Sequence, residues 1–117
     1  LHITDTAQFF RTRAEPLRFA NGQGVRFLTA YPDEMTRITN LNLFYSFQGI
    51  SDDGTFYVSA VLPVHTPVLA DVPAPETFAS YVDYIAAVVR ALEGSTQFRP
   101  ELALLDDLIR TLRLGSP

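Results

Sequence analysis

A chain of 117 residues, 47% of them hydrophobic, is long enough to bury a core and short for two, so one domain over residues 1–117 is expected and a disordered chain is excluded. Its formal charge is −4 at pH 7 and its nine basic residues, all arginines, are scattered, so it lacks the basic footprint of a nucleic-acid-binding surface. It has no Cys, which excludes disulfides, thiolate catalysis and zinc–thiolate sites, and no apolar run approaches the roughly 18–20 residues of a membrane-spanning helix.

Taken in chain order, "ITDTAQFFRTRAEP" offers Thr4 or Asp5 as a cap before Phe9 and Phe10 and predicts a short helix that stops by Pro16. In "LRFANGQGVRFLTAY", Asn21-Gly22 suits the positive φ angles of a tight turn and Gly24 a bulge, which predicts strands over 17–20 and 25–31. "PDEMTRITN" is a polar connection with room for one helical turn. "LNLFYSFQGI" and "TFYVSAVLPV" then alternate around "SDDG", the pattern of a hairpin turning at Asp53-Gly54.

If those two residues form the turn alone, Phe47 lies opposite Ala60 and Tyr45 opposite Leu62. One face then gathers Leu43, Tyr45, Phe47, Phe56, Val58, Ala60, Leu62 and Val64. A three-residue turn with Gly54 in a bulge would shift the first strand by one residue. The other face carries Phe44, Ile50, Tyr57 and Val61 among Ser46, Gln48 and Ser59, more apolar than a solvated sheet face requires.

After the proline-rich crossing "HTPVLADVPAP", Pro75 and Glu76 suit a helix start, and Phe78, Tyr81, Val82, Ile85, Val88, Val89 and Leu92 recur at helical spacing up to Gly94. The stripe Val82, Ile85, Val89 is expected to pack on the face holding Phe56, Val58, Ala60 and Leu62, with Tyr84 off that stripe. A last helix from near Pro100 places Leu105, Leu108, Ile109 and Leu112 inward and Asp106, Asp107, Arg110 and Arg113 outward. The fold expected is α+β: a four-stranded antiparallel sheet of two hairpins with two C-terminal helices packed on one face.

Chemistry-bearing patterns are sparse. His2 and His65 are the imidazoles, and no motif supplies His65, the weak candidate, with an orienting partner. Asp52 and Asp53 lack the D-x-D-x-D-G spacing of a Ca²⁺ loop and read as turn residues. "NGQG" precedes a strand where a dinucleotide site needs a helix, and no G-x-S-x-G or Ser/His/Asp order occurs. Asp106-Asp107 diverge around a helix and read as a solvated face. Tyr31, Tyr45, Tyr57, Tyr81 and Tyr84 read as core and interface material, with Tyr84 the one to watch. Neither a catalytic residue, a metal nor a cofactor is expected.

In "NGQGVRFLTAY", "LFYSFQGISDDGTFYVSAVLPV" and "LALLDDLIRTLRL" the chain resembles a group of uncharacterised bacterial proteins, secreted or lipid-anchored, over residues 17–113. At the level of fold, the strand-rich body and its last helix also resemble the PsbP/Mog1 α/β sandwich. These resemblances imply a fold and an extracytoplasmic location, and carry over no site residue. Because the sequence opens on Leu1, an N-terminal part holding a signal peptide or anchor is expected to be missing.

The function expected is a non-enzymatic accessory or protein-binding domain of an extracytoplasmic bacterial protein. Its contact surface would be the hairpins and the proline-rich crossing, with Phe44, Ile50, Tyr57 and Val61 as the interaction face. That face would be covered by the "AQFF" segment, a second copy of the chain or a partner protein, or would simply be scattered exposed apolar residues. The alternative is a small-ligand or enzymatic pocket between sheet and helices. Neither nucleic acid nor membrane insertion is expected.

Overall fold

The computed structural model describes residues 10–30 and 37–115. Four strands, β1 (Thr12–Phe19), β2 (Gly22–Ala30), β3 (Leu43–Ser51) and β4 (Tyr57–Pro63), form one antiparallel sheet in chain order. Helix α1 (Val68–Asp71) interrupts the proline-rich crossing, and α2 (Tyr81–Gly94) and α3 (Leu102–Arg110) follow. Strand period and helix stripe meet in one apolar cluster: Leu17, Phe19, Leu28, Leu43, Tyr45 and Phe47 from the sheet, Tyr84, Val88 and Leu92 from α2, and Leu102, Leu105 and Ile109 from α3. The two C-terminal helices therefore cover one sheet face, as expected of the α+β arrangement.

The "SDDG" hairpin has the register expected of a two-residue turn, with Phe47 paired to Ala60 and Tyr45 to Leu62, but its tight turn is centred on Asp52-Asp53 and not on Asp53-Gly54, because Gly54 N–H donates to the Ser51 carbonyl at 2.9 Å. Asp53 Oδ1 accepts hydrogen bonds from Ser51 Oγ at 2.7 Å and from Thr55 N–H at 2.9 Å. Those donors hold its carboxyl below the usual carboxylate range. Gly54 has φ +73° and open space where a Cβ would stand, so a side chain there would cost backbone strain and no clash. Gly54→Val should lose about 1–2 kcal/mol, the cost of a left-handed β-branched residue. Asp53→Asn keeps the Oδ1 acceptor and should leave stability nearly unchanged. Urea unfolding of both variants checks this, and equal losses would mean that the turn does not depend on the Gly54 backbone.

Several expectations change. Thr12–Glu15, assigned above to an opening helix, lie in β1; the rest of that helix, Phe10 and Arg11 apart, falls outside the described residues. Pro16 is tolerated because β1 is an edge strand, where a missing N–H need not break the ladder. The first hairpin turns at Ala20-Asn21, since Phe19 pairs with Gly22, and neither Asn21 nor Gly22 has positive φ. Asn21 instead exchanges side-chain hydrogen bonds with Leu114, donating to its C=O at 2.8 Å and accepting from its N–H at 2.9 Å.

Gly24 makes no bulge either. The ladder to β3 runs straight through it, and a Cβ there would stand 2.1 Å from the Gln48 carbonyl oxygen, so the residue serves close strand approach. The register shift in the sheet lies between Thr12 and Glu15, where Arg13 has φ +58°. Pro75 and Glu76 belong to a 3₁₀ turn, and α2 begins after Ser80, whose Oγ accepts from Asp83 N–H at 3.2 Å.

The inner face of α2 also differs from the expected one. Tyr84, Val88 and Leu92 are fully buried, Ile85 is half-buried, and Val82 is 75% exposed. The stripe Val82, Ile85, Val89 is thus corrected to Tyr84, Val88, Leu92. On the opposing face Val58, Ala60 and Leu62 are half-buried, while Phe56 at the hairpin end is exposed and lies beside Gly115. In α3, Asp106 is buried and Leu108 exposed, the reverse of the expected placement.

Candidate functional site

Two places gather polar or exposed groups that the core alone does not explain: a buried charged cluster beneath α3, and the outer face of the sheet. The first is built by parity. Arg26 shares the inward side of β2 with Leu28 and Ala30, Tyr45 lies inward on β3, and Asp106 stands on the α3 face with Leu102, Leu105 and Ile109.

Arg26 Nε donates to Asp106 Oδ1 at 3.1 Å and Nη2 to Oδ2 at 3.4 Å, while the Tyr45 hydroxyl donates to Oδ1 at 2.7 Å. Arg26 Nη1 donates to the Arg13 carbonyl, so the guanidinium also ties the bulged part of β1 to the centre of the sheet. Burial, and then the Asp106 carboxylate, push the Tyr45 phenol far above its ordinary range, so it stays protonated as a donor. Each member is engaged by the others, which makes the cluster a tie between sheet and helix rather than a reactive centre.

Tyr84 has a comparable role. Its hydroxyl accepts the Ile38 N–H at 2.7 Å and anchors the chain segment before β3 to α2. Desolvation by burial raises its phenol above the ordinary value.

His65 is exposed, and its backbone exchanges hydrogen bonds of 2.8 Å with Arg99. Asp52 pairs with Arg18 at 2.8 Å on the surface. Among the described residues no group of three His, Asp or Glu side chains is placed to hold a metal ion. No described helix is long and apolar enough to cross a membrane.

The outer face is the second place. The pairing register puts Pro16 and Arg18 of β1, Gln23, Val25, Phe27 and Thr29 of β2, Phe44, Ser46, Gln48 and Ile50 of β3, and Tyr57, Ser59 and Val61 of β4 on this side. One end is closed. Thr29 Oγ1 donates to the Phe10 carbonyl at 2.8 Å, and the Arg11 guanidinium lies 4.5 Å from the Phe27 ring centre. Phe44, at that end, is half-buried.

The other end is open. Val25 is 43% exposed, Ile50 44% and Tyr57 67%, while Val61, 47% exposed, stands opposite Ser46 in the row of Phe27. Pro16, Leu17, Val25, Ile50 and Tyr57 help to line a shallow groove of about 780 Å³ there. Gln48 crosses it, donating to Ser59 Oγ at 2.9 Å and accepting from the Tyr57 hydroxyl. The sequence-derived interaction residues thus divide: Ile50 and Tyr57 pair and line the groove, Val61 is exposed beyond the Gln48–Ser59 row, and Phe44 lies toward the end bordered by Phe10 and Arg11. Val25 and Pro16, from the first hairpin, were missed; their outward parity became readable only once the Ala20-Asn21 turn fixed the β1–β2 register.

A second depression of about 740 Å³ runs between Arg37 and the segment 74–81. Arg37 Nη1 there donates to the Val72 carbonyl at 3.0 Å.

Comparison with protein-family models, with curated proteins and with solved structures finds no match for this chain.

Proposed function

We propose that the chain is a non-enzymatic protein-binding domain that docks its partner on the open end of the outer sheet face. The observation that carries this reading is the exposure of Val25, Ile50 and Tyr57 along an apolar groove, with exposed Val61 beyond Ser59 on the same strand, on a sheet whose opposite face is already covered by α2 and α3. Apolar patches of this kind mark contact surfaces. The aromatic and aliphatic side chains are the anchors, and Gln48 and Ser59 supply a polar complement. Against the alternative of an inner ligand pocket stands the chemistry between sheet and helices, where apolar side chains and the mutually bonded Arg26–Asp106–Tyr45 cluster occupy the described interface. An extracytoplasmic setting is part of the proposal through the sequence resemblance alone. The N-terminus of the full-length gene product tests it: a signal sequence or lipid-attachment Cys supports it, and a cytoplasmic start removes it.

Affinity capture with wild type, Ile50→Glu and Val82→Glu tests the docking face, because both substitutions place a charge at an exposed apolar residue and only the first lies on the patch. The expected result is one stoichiometric partner retained by wild type and Val82→Glu and lost by Ile50→Glu, with all three folded by circular dichroism. Equal retention by both variants would remove the patch from the function.

A further inference from the structure

The two edges of the sheet are built differently. At β1 the ladder shifts between Thr12 and Glu15, Arg13 takes φ +58°, and Pro16 removes a donor. Thr12 Oγ1 donates to Glu93 Oε2 at 3.0 Å and Arg13 Nη1 to the Glu93 carbonyl at 2.8 Å, which straps the end of α2 across this edge. Bulges, proline, charge and a covering helix are the standard guards against strand addition.

β4 has none of these from Tyr57 to Leu62. Its sequence, YVSAVLP, contains no charged residue, proline enters only at the last position, and the edge is closed only beyond it, where the backbone of His65 bonds Arg99. Ser51 N–H donates to the Phe56 carbonyl and Val64 N–H to the Leu43 carbonyl. Because hydrogen-bonded pairs alternate along an antiparallel ladder, Val58, Ala60 and Leu62 also turn their backbone groups toward β3. Tyr57, Ser59 and Val61 therefore turn theirs away from the sheet, and no described residue hydrogen-bonds those groups.

We propose that this edge pairs antiparallel with β4 of a second copy about a two-fold axis at Ser59, joining two four-stranded sheets into one. Chemistry selects both the occupant and the register. An uncharged strand opposite itself meets no like charge, although each chain carries a net −4. With the axis at Ser59, Tyr57 meets Val61 of the second copy, and all three outward N–H groups and their carbonyls find partners. An axis at Ala60 would set Tyr57 against Pro63, which has no N–H to give.

The side chains fit this register on both faces. On the outer face the exposed Tyr57 and Val61 cover one another across the axis, and the two open patches become continuous. On the inner face Phe56 of one copy comes opposite Leu62 of the other, beside a depression of about 480 Å³ lined in part by Leu62, Pro63, Leu105 and Leu108. Phe56 and Leu108 are both exposed in the single chain. Such an interface is isologous, so it closes as a dimer and does not propagate.

The inference goes beyond the proposed docking function and does not depend on which partner binds the face. Its test reads self-association of the purified chain with no partner present, whereas the docking test reads partner capture, so the two readings fail separately. Sedimentation equilibrium should give wild type twice the chain's 13.0 kDa. Ser59→Lys and Ser59→Glu each set like charges against each other at the axis, and each should sediment as a monomer, while an equimolar mixture of the two should return to the dimer. Amide hydrogen exchange on wild type alone adds a readout independent of the variants: the Tyr57, Ser59 and Val61 amides should exchange more slowly at high protein concentration than at low. A monomeric wild type, a dimer indifferent to both charges, a mixture that stays monomeric, or concentration-independent exchange at those amides would each overturn the proposal.

Discussion

Asp106→Leu should destabilise the protein by about 3–5 kcal/mol, the usual consequence of removing one partner from a buried ion pair and leaving the other charge uncompensated. Arg26 and Asp106 side chains are each only 10% exposed, so water cannot readily replace the lost carboxylate. The Tyr45 hydroxyl would lose its acceptor at the same time. A second substitution separates the value of the pair from the cost of breaking it. Adding Arg26→Met to Asp106→Leu removes both charges, and the double variant should recover most of the loss, since buried pairs replaced by apolar side chains of similar volume are often near neutral.

Chemical denaturation of the single and double variants at one pH reads this directly. A single-variant loss below about 1 kcal/mol would place the Arg26 guanidinium in water, because solvent-exposed pairs contribute no more than that. The same cluster sets an alkaline limit. Tyr45 has a raised pKa in the fold, so its contribution is complete below the ordinary phenol pKa near 10 and is lost as pH rises from there toward its folded value.

How much of this was legible depended on whether a local pattern had one reading. The "SDDG" hairpin had two, a two-residue turn or a three-residue turn with Gly54 in a bulge, and the observed pairing of Phe47 with Ala60 is the register of the first. The first hairpin had two as well. "ANGQG" permits a turn at either Ala20-Asn21 or Asn21-Gly22, and the choice is made by Leu112 and Leu114, whose backbone groups bond Ala20 and Asn21 from the far end of the chain. Asp106 departs from the expected solvent side because its charge is met inside by Arg26. A stripe counted from Leu102 reaches Asp106 and Ile109 together, and Arg26 shares strand parity with Leu28, so an inward acid and an inward base were both present in the pattern. Pairing them required the helix to lie over the sheet in one particular way, which no spacing within either element specifies.

The same ambiguity in α2 gives the second large prediction. "YVDYIAAVVRAL" carries apolar residues nearly all round the helix, so spacing alone supports either Val82, Ile85, Val89 or Tyr84, Val88, Leu92 as the inner stripe. The choice rests on the packing partners, among them the Ile38 N–H, which the Tyr84 hydroxyl reaches inside the protein. Leu92 is fully buried in the shared core, so Leu92→Ala should cost about 2–5 kcal/mol through lost transfer energy and the cavity left behind. Val82 is 75% exposed, and Val82→Ala should change stability by no more than about 0.5 kcal/mol, with a slight gain from the better helix propensity of Ala. Denaturation midpoints at constant slope distinguish the two faces. A costly Val82→Ala beside a tolerated Leu92→Ala would rotate α2 back onto the other stripe, and the Tyr84–Ile38 hydrogen bond could not survive that rotation.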